Sequence, residues 1–158
     1  MRLKRRFPSR AERPHGGASS DAVEAALGWL RHRDRSAAQI DAYLEGRGFV
    51  EPARREALAT LTRTGLVDDH RFATGRATAL AERGSGDALI RHDLREAEVE
   101  TAAVDAALEA LDTERDRAEM IVARRGVSAK TARYLASRGF PEDVVHTVIA
   151  HSRGQAVG

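Results

Sequence analysis

One spacing recurs three times in this chain and narrows what it can fold into. Leu44, Leu94 and Leu135 are each followed five residues on by Phe49, Val99 and Phe140, and fourteen residues on by Leu58, Leu108 and Ile149. Successive leucines stand 50 and 41 residues apart, a period that belongs to tandem supersecondary units. Two units also share a tripeptide, Arg47-Gly48-Phe49 and Arg138-Gly139-Phe140, with glycine where a helix would end in the left-handed region. The middle unit has Ala97-Glu98-Val99 instead, so Glu98 either bears the left-handed cost or belongs to a different turn.

Around this frame the pattern is helical. Val23, Ala26, Leu27 and Leu30 mark one stripe, with Ser20 or Asp21 as its cap. Ser36 opens a second helix carrying Ile40, Tyr43 and Leu44, closed by Gly46 and Gly48. Pro52 suits the first turn of a third helix that continues to Gly65. The expected fold is all-α: three tandem three-helix units stacked into an elongated, curved molecule. Their expected bounds are 20–65, 66–112 and 113–151, between a disordered basic arm at 1–19 and a flexible tail at 152–158. Twenty-nine of the 158 residues are alanine, which leaves little material for one large centre and suits small helices packed closely. A compact nine-helix bundle is therefore the poorer expectation.

The net charge of +2 conceals opposite regions. Residues 1–20 carry +5, 21–65 are neutral, 66–112 carry −6 and 113–158 carry +3. With no cysteine, disulfide scaffolds, Cys-zinc sites and thiol nucleophiles are excluded. No apolar run approaches the ~20 residues that span a bilayer, and the basic start lacks the apolar core of a secretory signal. A cytoplasmic protein without a membrane partner is expected.

No catalytic constellation stands out, and an enzyme is not expected. Gly84-Ser85-Gly86 lacks the Gly-Lys-Ser/Thr of a phosphate loop. The six histidines are scattered, and Asp68-Asp69 reads as a helix start. Neither a metal nor a cofactor is expected. Trp29 lies off its helix's stripe, placed either to pack on the next unit or to anchor a partner. The candidate partner-binding residues are basic: Arg124, Arg125, Lys130, Arg133 and Arg138 in the third unit, Arg35 and Arg47 in the first. A solvated face accounts for them as well as an acidic or phosphate-bearing partner does.

Read in order, the segment Gly65-Leu66-Val67-Asp68-Asp69-His70-Arg71-Phe72-Ala73 resembles the Gly-aromatic/aliphatic-Asp-Asp-x-x-Phe-Ala segment of the RecX family. Residues 33–40 with Leu44 and the Arg47-Gly48-Phe49 turn resemble its first unit, and the segments 86–94 and 135–140 its later second helices. The resemblance implies a regulator that binds the RecA–single-stranded-DNA filament and suppresses its ATPase, strand-exchange and coprotease activities. It implies possible direct contact with the single strand, and a monomer is expected. The alternative is a DNA-binding protein using its units as helix-turn-helix readers. Gln39, Arg54, Arg76, Ala77 and Leu80 depart from the family's pattern. The second unit is therefore expected to be less well packed or to have an altered face.

Overall fold

A computed structural model describes residues 19–155. Nine helices, and no strand, occur among them, in three sets of three. The first repeat holds α1 (Ser19–Leu30), α2 (Ala37–Gly46) and α3 (Glu51–Arg63). The second holds α4 (Asp69–Glu82), α5 (Asp87–Glu96) and α6 (Thr101–Glu109). The third holds α7 (Glu114–Arg125), α8 (Ala129–Ser137) and α9 (Glu142–Gln155).

Local chemistry sets the helix starts. Ser36 accepts from the Gln39 amide at 3.1 Å while Gln39 accepts from the Ser36 amide at 3.3 Å, a reciprocal capping box. Asp68, Thr113 and Ser128 accept from the amides of Arg71, Asp116 and Thr131. The Asp68 carboxyl is held below its usual pKa, chiefly by the Arg71 amide, so this acid is spent on a helix end. Helix α1 already includes Ser20 and Asp21; neither is its cap, and Asp21 instead complements the positive end of the helix.

Within each repeat the first helix packs on the third through small side chains. Ala22 and Ala26 meet Ala57 and Leu61 in the first core. Ala73 and Ala77 meet Ala103, Val104 and Ala107 in the second. Ala118 and Val122 meet Val145, Val148 and Ile149 in the third. Alanine lets these axes approach closely. The repeating leucines Leu44, Leu94 and Leu135 are fully buried, one at the centre of each repeat. The second core is closed despite its sequence departures: Ala77 is fully buried, and Arg76 makes a bidentate pair with Asp93 at 2.7 and 2.8 Å.

The chain divides into two compact units, Met1–Val67 and Asp68–Gly158, so the second and third repeats form one body. Val67 is buried in the first repeat's core, two residues past the expected end of that unit. Helix α9 runs on to Gln155, so residues 152–155 are helical where a flexible tail was expected. No proline interrupts that stretch, and a helix tolerates its one glycine, Gly154. Of the expected basic arm, residues 1–18 lie outside the described residues, as do 156–158 of the expected tail.

Candidate interaction surfaces

All three turns between second and third helices adopt one conformation. The amides of Phe49, Val99 and Phe140 donate to the carbonyls of Leu44, Leu94 and Leu135 at 3.1, 3.1 and 3.2 Å. The preceding residue is left-handed in each, with φ of +84° at Gly48, +54° at Glu98 and +87° at Gly139. The middle turn does not differ; Glu98 occupies the position that glycine favours.

The third repeat's turn is docked against the second repeat. Arg138 donates through Nη2 to the Ser85 hydroxyl at 2.9 Å and to the Arg83 carbonyl at 3.3 Å. Its Nε lies 3.4 Å from the Gly84 carbonyl, and the Gly86 amide donates to its own carbonyl at 2.8 Å. Two glycines permit this approach. A Cβ on Gly86 would stand 2.5 Å from the Gly139 carbonyl oxygen, and one on Gly139 would stand 2.9 Å from the Leu89 nitrogen.

Arg117 of α7 secures the same junction. It is 6% exposed and donates to the Ser85 carbonyl at 2.7 Å and the Asp112 carbonyl at 3.0 Å, with Asp87 as its ionic partner. A buried guanidinium with two carbonyls and a carboxylate is a satisfied charge. Glu114 accepts from the Asp87 amide at 2.7 Å, and burial pushes its carboxyl pKa up.

Beside this junction lies a cleft of about 750 Å³. Its walls include Arg83, Arg124, Arg125 and Tyr134, with Ile121 and the exposed Met120 below. The Arg125 guanidinium stacks 3.9 Å above the Tyr134 ring. Arg83, Arg124 and Arg125 carry no ion pair among the described residues. Two carboxylates, Glu82 and Asp112, line the same cleft, so arginines outnumber acids there. Lys130 and Arg133 lie on α8, outside the cleft's lining.

The first repeat builds a separate ladder. Trp29 stacks on Tyr43 with centroids 4.4 Å apart and planes 12° off parallel. Arg35 covers the other face of Trp29 at 4.1 Å; the separations leave no room for both on one face. Arg47 donates to the Tyr43 hydroxyl at 2.9 Å. Trp29 thus packs inside its own repeat, an outcome beside the two that its place on the helix suggested. Arg35 has its Nε buried without a hydrogen-bond partner, and desolvation, followed by the neighbouring Arg33, lowers its pKa.

The expected residues thus separate by use. Arg124 and Arg125 share the cleft, Lys130 and Arg133 stand apart on α8, and Arg35 and Arg47 flank the aromatic pair. Arg138 is half-buried and committed to the repeat junction. Arg83 and Tyr134 were absent from the candidates read from the sequence, and Arg117 stood there only as one of the third unit's many basic residues. One signal was available for Arg117: counted back from the repeating leucine, it aligns with Ala26 and Arg76, a core-facing position. Among the described residues, no three His, Asp or Glu side chains cluster as metal ligands would, and no helix is long and apolar enough to cross a membrane.

No family model matches the chain. The regulatory protein RecX of Stenotrophomonas maltophilia is 32% identical over 133 residues, covering 78% of this chain and 82% of that protein. The RecX of Halorhodospira halophila is 33% identical over 147 residues, covering 85% and 90%. The crystal structure of RecX from Lactobacillus salivarius shares the fold, with a TM-score of 0.73 over 85% of this chain and 96% of that one at 19% identity. The three-helix repeats, the twin Arg-Gly-Phe turns and these relatives agree: the chain belongs to the RecX family, whose members are regulatory proteins and not enzymes.

Proposed function

We propose that this protein binds the RecA–single-stranded-DNA filament and restrains its ATP hydrolysis, strand exchange and coprotease activities. It does so without chemistry of its own, as a cytoplasmic monomer. The observation that carries this reading is the basic cleft between the second and third repeats. A filament of protein and phosphodiester offers carboxylates, phosphates and bases. Unpaired arginines beside a tyrosine are suited to all three, and the Arg117 and Arg138 contacts hold the cleft walls in fixed register.

Purified protein added at stoichiometric amounts is expected to lower DNA-stimulated ATP hydrolysis by RecA. An unchanged rate would overturn the proposal, and sequence-preferring duplex binding without RecA would favour a helix-turn-helix reader instead. Reversing Lys130 and Arg133 to glutamate is expected to weaken filament binding more than reversing Arg71 and Arg95 in the acidic second repeat. Arg138 is left intact in this comparison because its reversal would open the repeat junction.

A further inference from the structure

The second and third repeats form one body without sharing a core. Their buried apolar residues fall into two clusters, one around Leu94 and one around Leu135. Polar groups cross between them. Arg117 reaches the Ser85 carbonyl and Asp87, Glu114 accepts from the Asp87 amide, and the Gly86 amide donates to the Arg138 carbonyl. Ile121 and Leu89, which also reach this joint, meet the backbone of Gly84 and Gly139. Hydrogen bonds are exchanged for water at small net cost, whereas opening a core exposes apolar area. The joint is therefore the part of this body that opens most readily.

Its two arginines hold it unequally. Helix α6 ends at Glu109 and α7 begins at Glu114, so residues 110–113 are the covalent link between the repeats. Beside that link, the buried Arg117 is paired with Asp87 and also holds the Asp112 carbonyl of the link itself. Arg138 is half-buried, and its acceptors are neutral: the Ser85 hydroxyl at 2.9 Å and the Arg83 and Gly84 carbonyls at 3.3 and 3.4 Å. Among the described residues it has no ion pair. A guanidinium bound to a carboxylate is held more firmly than one bound to neutral oxygens. The Arg138 grip yields first, while Arg117 keeps the link anchored. Burial, with repulsion from Asp87 and Asp143 adding to it, holds the Glu114 carboxyl above its usual pKa, so an ionised Glu114 regains solvation when the joint opens.

We infer that a hinged clasp joins the second and third repeats: it pivots at residues 110–113, is closed by Arg138 on residues 83–86, and opens without unfolding either core. The cleft spans this joint, with Thr78 and Arg83 from the second repeat and Met120, Arg124, Arg125 and Tyr134 from the third. Opening the clasp widens it. The width of the basic cleft is thus adjustable about the closed register that the two arginines set. That this adjustment serves filament binding rests on the function proposed above; the opening itself does not.

Two measurements on the full chain, made without RecA, test the clasp. The first is amide hydrogen exchange. The Gly86 amide is buried and bonded across the joint, whereas Leu94 and Val148 are fully buried in the helices of the two cores. Gly86 is expected to exchange at least tenfold faster than Leu94 and Val148. Arg138→Ala keeps the backbone carbonyl that Gly86 uses, and is expected to speed Gly86 about another tenfold, the effect of a charged hydrogen bond, with the core amides unchanged. Exchange of Gly86 at the core rate, or an acceleration no greater than that of the core amides, would overturn the inference. The second uses spin labels at Thr78→Cys and Met120→Cys, placed in a chain that has no other cysteine. Arg138→Ala is expected to shift their distance distribution to longer values. An unchanged distribution would show that Gly86 exchanges by local fraying of α5 and would likewise overturn the inference. Adding saturating RecA filaments is then expected to narrow the distribution to one width. A bound chain with its distribution unaltered would overturn the link between clasp and binding, and a chain that did not bind would defeat the proposed function while the first two results still decided the clasp.

Discussion

The turn at Arg47-Gly48-Phe49 and the turn at Arg138-Gly139-Phe140 have one sequence and one backbone, yet they do different work. In the third repeat the arginine is consumed by the carbonyls and hydroxyl of the second, and the glycine is needed twice: for its φ of +87° and for the Leu89 backbone against it. In the first repeat the glycine is needed only for its φ of +84°, and the arginine stays exposed on Tyr43. The difference shows that a local motif fixes the shape of a turn, whereas its role depends on the residue that it meets. Gly86 makes the docked role possible by carrying no side chain.

Several substitutions test this contrast, beginning with the largest effect. Arg117→Ala removes the buried clamp beside the docked turn and leaves Asp87 and two carbonyls unpaired, at an expected cost of about 3 kcal/mol. Chemical denaturation read separately in each compact unit is expected to place that loss wholly in residues 68–158. Loss shared with the first repeat would break the contrast. Next, Gly139→Ala combines the left-handed penalty with a backbone overlap and is expected to cost about 2–3 kcal/mol, against about 1 kcal/mol for Gly48→Ala. Equal losses in thermal unfolding would mean that the docking contact contributes nothing. Glu98→Gly in the middle turn is expected to stabilise by up to about 1 kcal/mol, since the left-handed strain is relieved while some unfolded-state entropy is gained.

The smallest effect is electrostatic and concerns the second repeat. The hydrogen-bonded Arg76 guanidinium holds the Asp93 carboxyl below its usual range. That depression works against protonation, so the pair's contribution is present above the unfolded carboxyl value of about 4 and is lost as the pH falls through the lower folded value. Both side chains are about one-third exposed, so Asp93→Asn is expected to cost less than about 1 kcal/mol at neutral pH. Its stability should converge with that of the unmutated chain only as the pH falls below that lowered folded value. A gap that persists in acid would mean that the substitution acts through packing and not through charge.

Much of the architecture was legible because it is local. The leucine spacing located three repeats, Ser36 and Asp68 announced helix starts, and Gly48 and Gly139 announced turns. What could not be read depends on residues far apart in sequence. Arg138 looked like one more surface cation, and only the approach of Gly86, 52 positions earlier, turns it inward. Arg117 was one arginine among many until Ser85 and Asp87 closed around it. Trp29 found Tyr43 and Arg35 in its own repeat, a pairing set by the loop between α1 and α2 that no periodicity encodes. The cleft itself was invisible for the same reason: Arg83 and Tyr134 lie on different repeats and meet only through the docked turn. Arg124 and Arg125, by contrast, were legible as surface cations at the end of a helix, and both line the cleft.

The filament-binding role is tested most directly by co-sedimentation of the purified chain with RecA–single-stranded-DNA filaments, alongside RecA-free single strands and RecA-free duplex. Saturable binding to the filament is predicted, exceeding binding to either nucleic acid alone and falling when Arg124 and Arg125 are both changed to alanine. Filament binding no stronger than binding to bare DNA, or binding indifferent to those two arginines, would contradict that role.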